Sequence, residues 1–235
     1  MKNLYFDIET IPSQRADIKY RMFSEAQADF CEKQAAVMSK YKTPATIDKH
    51  LEALGEVDLE EKWRRTALDG GLGEIICIGF AIDEGPLQTV SRATVEESET
   101  DVLKEFFGAI GRELFRWIGH NITGFDLRFL WQRCVVLGVE PVTFIPYEDR
   151  SGSRQVQDLP CMWKGSFGKG YISHHDLCEI LETGGKPDDI NGSQVWDRFK
   201  EGDIARICEY CEGDVEQVRE NYKKLKFGEV DDDAF

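Results

Sequence analysis

Asp7 and Glu9 stand two residues apart in the run "YFDIETIP" (residues 5–12), which otherwise has the character of a buried strand. Side chains alternate across a strand, so Leu4, Phe6 and Ile8 share one face and Tyr5, Asp7 and Glu9 the other. Asp126 closes "NITGFD" (121–126) in the first turn of a helix, where the N-terminal dipole favours an acid. Tyr210 and Asp214, in "YCEGD", are four apart and therefore on one helical face. Ile204, Ile207, Val215 and Val218 turn that face toward the protein. Each item alone is ordinary in an acidic chain. Gathered together without metal, four acids would repel and some would be forced to hold their protons. Such a group suits divalent cations. Mg²⁺ prefers oxygen ligands, and a pair of ions about 3.5–4 Å apart can stabilise both the attacking and the leaving oxygen of a phosphodiester.

The elements that must position these residues follow from hydrophobic period and turn signals. Residues 2–10 form a strand. Residues 13–70 are charged and poor in β-branched runs, and read as a mostly helical insertion with pieces near 22–40, 46–54 and 58–68. "GEIICIGFAID" (73–83) is a buried strand, with 86–92 as its hairpin partner across Gly85. Thr94 is the expected N-cap of the next helix, with Glu97 three residues on. "ELFRWIGHN" is a strand, and "GFDLRFLWQRCVVLGV" a helix ending near Gly138. Residues 154–163 are a strand candidate. Helices follow at about 173–182, 193–199 and 202–225, and 229–235 is an acidic, disordered tail. The expected fold class is α/β, a mixed five- to six-stranded sheet with the Asp7 strand central and helices on both faces. Residues 1–228 form one domain in this reading.

Composition narrows the function. The 235 residues carry 44 acids against 29 bases, a formal charge of −15. Nucleic acid is therefore not held by bulk positive charge. Seven cysteines lie scattered in apolar stretches, with no secretory run before them and no apolar segment of about 18 residues. These features point to a reduced, cytoplasmic protein without membrane contact. Cys208 and Cys211 form a C-x-x-C that reads as two cysteines on one helix, one of them in the core, rather than a zinc site.

In their order, D-x-E on the first strand, N-x-x-x-F-D at a strand-to-helix turn and Y-x-x-x-D on a late helix resemble the DEDD superfamily of 3′–5′ exonucleases. Five residues before Asp214 stands Glu209, where the histidine branch places its histidine, so the tyrosine branch is favoured. "EKWRRTALDGGLGEIICIGFAID" and "GSQVWDRFKEGDIARICEYCEGDVEQV" are similar to proofreading-exonuclease-like proteins related to family B DNA polymerases, and to their small stand-alone versions in phages and prophages. The similarity covers most of 1–12 and 60–225. It implies a ribonuclease H-like fold and a free-standing nuclease that uses two Mg²⁺ or Mn²⁺ ions. Asp7 would bridge the ions, Glu9 and Asp214 would complete one site and Asp126 would support the other. Tyr210 would orient the attacking water, since a phenol with a pKa near ~10 is a poor base at neutral pH.

The implied substrate is DNA, single-stranded or frayed, cut to nucleoside 5′-monophosphates in a bacterial or phage-infected cytoplasm. Replication or recombination proteins are the partners such a role implies. RNA 3′-trimming is the alternative within enzymes, and a catalytically silent module that binds DNA ends or a replication protein is the alternative outside them. Thr10 and Ile11 fit the terminal nucleotide or strand-end packing. Asn121 fits a nucleotide contact or the fixing of its turn, and Phe125 a base contact or the core. Within 150–171, Lys164 and Lys169 with Trp163, Phe167 and Tyr171 suit a loop that tracks phosphates and stacks bases, or a solvated loop with core aromatics. Lys186 is a further phosphate contact. His174 and His175 read as the start of a helix, and Asp158 as a supporting acid on a strand.

Overall fold

Lys2–Ile11 form β1, the middle strand of a five-stranded sheet in a computed structural model. The structure describes residues 1–55, 58–165, 168–185 and 189–227. The chain continues through α1 (Ala16–Lys40), α2 (Pro44–Leu54), α3 (Leu59–Arg64) and a 3-10 turn (Arg65–Leu68). It returns as β2 (Glu74–Ile82), β3 (Gln88–Ser91), α4 (Glu99–Ile110), β4 (Phe115–Gly119) and α5 (Asp126–Leu137). β5 (Val156–Asp158), α6 (Leu159–Lys164), α7 (His174–Leu181), α8 (Val195–Lys200) and α9 (Ile204–Leu225) complete it. Strand order is β3-β2-β1-β4-β5; β2 runs antiparallel to β1, and β4 and β5 run parallel with it. This is the mixed α/β sheet that the periodicity implies, with Asp7 on its central strand.

Alternation along β1 sorts the two layers. Leu4, Phe6 and Ile8 join Phe80, Phe106, Trp117 and Phe129 in the core under α4 and α5. Tyr5 joins Ala81, Ile118, Val215 and Tyr222 under α9. The alternation breaks at one place. Glu9 pairs with Cys77 but Thr10 pairs with Ile75, leaving Ile76 as an extra residue on β2. Such a bulge bends its strand. Ile76 and Cys77 consequently both enter one cluster, with Ile11, Ile207 and Tyr210. Ile11 is fully buried there, which corrects the expectation that it lines a nucleotide site.

The insertion is helical, as its composition implies, and it is pinned at its base. Trp63 is buried, donates its indole N–H to Ser13 O at 2.8 Å and meets Trp196 edge-on at 5.5 Å. Arg64 grips Asp197 with two bonds of 2.9 and 2.8 Å. Thr10 Oγ1 donates to Ala67 O at 2.8 Å, which holds the 3-10 turn against the end of β1.

Two boundaries differ from the sequence expectation. Helix α4 begins at Glu99 with Ser98 before it, not at Thr94; the Glu97 carboxylate instead accepts from Ala93 N and closes the preceding turn. Strand 154–163 shrinks to three residues because Pro160 opens α6. The tail 229–235 and Lys186 lie outside the described residues.

Glu99 and Arg133 form a buried pair that ties α4 and α5 to β2. Glu99 accepts from Ile75 N at 2.7 Å and from Arg133 at 2.8 and 2.6 Å. Removing one partner strands a buried charge, at a cost of about 3–5 kcal/mol. We predict that Arg133→Met lowers the unfolding free energy by ~3 kcal/mol or more in urea. The double variant with Glu99→Gln should lose less than the two single losses added. A single-variant loss below ~1 kcal/mol would show that the pair is not desolvated as the structure places it.

Candidate active site

The cleft lies at the C-terminal ends of the parallel strands β1 and β4, where α/β sheets commonly bind ligands. Its volume is about 420 Å³, and Asp7, Glu9, Asp126, Tyr210 and Asp214 all line it. Segments separated by more than 200 residues therefore meet there. A larger concavity of about 600 Å³ lies between α1 and α3 and contains none of the five.

Each residue is placed by a distinct local cause. Asp7 and Glu9 project from β1 toward α9. Helix α9 lies close because β2 carries Gly79 directly opposite Asp7. A Cβ at Gly79 would lie 2.7 Å from Cys211 Sγ and 3.2 Å from Cys211 O. Without it, Cys211 reaches Asp7, with Sγ 3.6 Å from Oδ2. Tyr210, Cys211 and Asp214 turn the same face of α9 to the sheet and are all buried.

Asp126 is held by the turn that precedes α5. Asn121 adopts a left-handed φ of 63°, and its carbonyl accepts from Gly124 N and Phe125 N, both at 3.0 Å. The Asp158 carboxylate anchors that turn, accepting from Asn121 N at 2.9 Å, Thr123 N at 3.1 Å and the Thr123 hydroxyl. Asp158 is thus a scaffold for Asp126. The Asp126 carboxylate itself accepts from its own N–H and from the Ile8 N–H of β1.

The electrostatics are those of crowded acids. Burial, and then the nearby Asp158 and Asp214 charges, push Asp126 up to about 7 against the backbone N–H bonds that lower it. Burial, followed by Asp214, Glu9 and Asp7, raises the Tyr210 phenol far above its usual value. Tyr210 is accordingly a neutral donor at any ordinary pH. No lysine or arginine occurs among the described residues that line the cleft. Asp7, Glu9 and Cys211 each offer a ligand atom, all within 4.8 Å of one another.

His174 is more than a helix start. It opens α7 and its Nδ1 lies 3.5 Å from Asp214 Oδ1. Its ring stacks on His120 at 4.8 Å. Burial lowers its pKa, but Asp214 and Cys178 outweigh that and hold it above the ordinary histidine value. Both His174 and His175 line the cleft. Sequence reasoning gave little weight to His174, which lies at no spacing that ties it to the acid set, and to Cys211, which was read as one half of a C-x-x-C on a helix. The only signal was a histidine or cysteine near a Y-x-x-x-D helix.

The substrate candidates divide. Thr10, Asn121 and Phe125 line the cleft, and Phe125 also packs against the core. Lys164 and Lys169 are exposed and are not among the residues lining the cleft. Tyr171, 67% exposed, and Leu68, 63% exposed, do line the cleft. Trp163 is exposed elsewhere.

A family model described as a predicted 3′–5′ exonuclease related to the exonuclease domain of PolB matches residues 71–226. The chain belongs to that family. The exonuclease is similar to the family B DNA polymerase of the hyperthermophilic archaeon Pyrobaculum calidifontis, with a TM-score of 0.55 at 13% identity. That likeness covers 96% of this chain and 24% of the polymerase, so the exonuclease spans about a quarter of the polymerase's length. The shared architecture is the α/β sheet of the ribonuclease H-like fold. None of the curated proteins matches the chain. Membership makes the protein an exonuclease acting on nucleic acid. No helix among the described residues is long and apolar enough to cross a membrane.

The Asp126 shift predicts a pH dependence for the metal-free exonuclease. Between its ordinary value near 3.8 and about 7, the folded chain holds a proton that the unfolded chain releases. Stability therefore falls as pH rises through that window. Asp126→Asn should remove this part of the decline and be the more stable protein at pH 8, with little difference near pH 4. Urea midpoints measured without divalent ions check this, and parallel pH profiles for the two proteins would refute it.

Proposed function

We propose that this exonuclease hydrolyses DNA from the 3′ end, preferring single-stranded or frayed ends, and releases nucleoside 5′-monophosphates. The observation that carries the reading is the convergence of Asp7, Glu9, Asp126, Tyr210 and Asp214 in one cleft. The donor set fits Mg²⁺ or Mn²⁺: carboxylate oxygens on the wall and, among the described lining residues, no lysine or arginine to offset them. Asp7, Glu9, Asp126 and Asp214 would hold the ions. Bound divalent cations supply positive charge against the phosphate and acidify water.

The chain's own residues do the rest. Asp7 faces the cleft from the central strand, beside Glu9. Tyr210, kept protonated by burial and by the acids, donates its O–H and orients a water without taking its proton. His174 at 3.5 Å restrains one oxygen of Asp214. Asp158 and the 121–123 amides keep the α5 start in place. Leu68, Phe125 and Tyr171 give the cleft apolar surface suited to bases. DNA rather than RNA is supported by the likeness to a DNA polymerase. The single domain 1–228 is part of this reading.

The test is a 5′-labelled DNA and RNA strand of one sequence, incubated with Mg²⁺, Mn²⁺ or chelator. The expected result is a ladder shortening from the 3′ end of DNA, absent with chelator and absent in Asp7→Ala. Tyr210→Phe should lose about 10²-fold in rate, the scale of loss when a reacting group is misplaced. Faster loss of RNA would reassign the substrate. No cleavage of either strand by folded protein with both metals would overturn the reading in favour of an end-binding module.

A further inference from the structure

All seven cysteines are free thiols, and two of them meet at the edge of the α9–sheet contact. Cys77 of β2 and Cys208 of α9 are 131 residues apart in sequence, yet the Cys77 S–H donates to the Cys208 sulfur at 3.8 Å. Their settings differ. Cys77 is fully buried, whereas Cys208 is half-buried. Cys208 lies over β3, the edge strand, where Ser91 pairs with Cys77. The Ser91 and Thr89 side chains of that strand also bond the Cys208 sulfur. The Cys77 bond, joined by these two, outweighs burial and the Glu212 charge and brings the Cys208 thiol down to about 6. The thiolate is the reactive form of cysteine. A low-pKa, accessible cysteine beside a second thiol is the arrangement that peroxide-reactive cysteines share. Cys31 is more exposed, but its sulfur accepts from the Gln27 amide rather than from a thiol.

We propose that Cys208 and Cys77 form an oxidative modification site, which a hydroperoxide converts into a disulfide between α9 and β2. The Cys208 sulfur attacks one oxygen of hydrogen peroxide. The O–O bond breaks, an S–O bond forms, and the displaced hydroxide leaves as water with the thiol proton. Cys208 is thereby oxidised to the sulfenic acid and the peroxide is reduced. The Cys77 sulfur then attacks the Cys208 sulfur. The S–O bond breaks, the S–S bond forms, and hydroxide leaves as water with the Cys77 proton. Two thiols and one hydrogen peroxide give one disulfide and two waters. A disulfide of about 2.05 Å requires the two sulfurs to close by about 1.8 Å from their 3.8 Å separation. That movement falls two residues before Tyr210 on the same helix. Misplacing a reacting group by about 1 Å can cost about 10²-fold in rate. Slower hydrolysis by the linked chain is a consequence that rests on the proposed function; the site itself does not.

The deciding measurement needs no variant. The full chain is treated with stoichiometric hydrogen peroxide, its remaining thiols are alkylated, and its peptides are mapped by mass. The expected product is a single chain that has lost two thiols, carries one Cys77–Cys208 link and regains both thiols with a dithiol reductant. A link between any other pair, Cys208–Cys211 included, would overturn the proposal. So would any product in which Cys77 stays free. Two variants test the order of events. In Cys77→Ser a sulfenic-acid trap should label Cys208, and in Cys208→Ser no link through Cys77 should form. A Cys208→Ser chain that still links Cys77 would overturn the assignment, whether or not Cys77→Ser folds. On the proposed function, the linked chain should shorten DNA at least tenfold more slowly, and the reductant should restore the rate. An unchanged rate in the fully linked chain would overturn that consequence. Because the peptide map does not use hydrolysis, the site and the nuclease reading fail separately.

Discussion

The approach of α9 to the β1–β2 pair is the constraint on which the site rests. Gly79 faces Asp7 across the strands, and its missing side chain lets the helix settle until Cys211 touches the Asp7 carboxylate. The same approach buries Val215 and Val218 against Tyr5, Ala81 and Ile118. Fully burying a side chain of this size contributes about 1.5–3 kcal/mol, so the helix is seated by several such terms. Packing and chemistry are one contact here. A shift of α9 large enough to admit a side chain at position 79 would move Tyr210 and Asp214 away from Glu9 and Asp7 together.

Neither lysine nor arginine occurs among the described residues that line the acidic cleft. Buried or half-buried arginines are committed elsewhere, among them Arg133 to Glu99, Arg92 to Glu74 and Arg64 to Asp197. The structural acids are held by neutral donors instead. Asp158 takes its bonds from the 121–123 turn, and Asp126 from the Ile8 N–H. Backbone dipoles fix a carboxylate's position while neutralising only part of its charge. What remains is a cleft wall dominated by carboxylates, with His174 beside Asp214.

The parts of this design carried by local pattern were legible in the sequence. Alternation through "YFDIETIP" placed Asp7 and Glu9 together, and the four-residue spacing placed Tyr210 with Asp214. The Gly138 stop of α5 follows from its left-handed φ of 65°. Features that depend on register or on tertiary approach were not legible. The Ile76 bulge on β2 turns both Ile76 and Cys77 toward the cluster that also buries Ile11, which lies on the α9 face of β1. The cap of α4 moved four residues because Glu97 satisfies Ala93 N, an option that a cap motif does not exclude. His174 and Cys211 join the site only because α7 and α9 pack as they do. Cys178 of α7 bonds Gln217 and Asn221 of α9, a contact that orients His174 toward Asp214.

The helical insertion bears on the site through its return rather than its length. Helix α1 is 25 residues long yet buries only Ile18, Met22 and Ala26, so little of it is needed by the core. What the core does hold is the end of the insertion. Trp63, Thr66 and the Thr10–Ala67 bond press the 3-10 turn onto β1 immediately after Glu9. Leu68 leaves that turn exposed and at the cleft, as Tyr171 does after α6. The cleft therefore pairs an acidic wall with exposed apolar groups drawn from two separate loops. On the proposed reading, bases can meet that apolar surface without any charge term, while the phosphate reaches the acids only in company with cations. Binding strength and hydrolysis then respond to different parts of the chain: the insertion and the 150–171 loop govern how an end is held, and the α9–β1 contact governs whether it is cut.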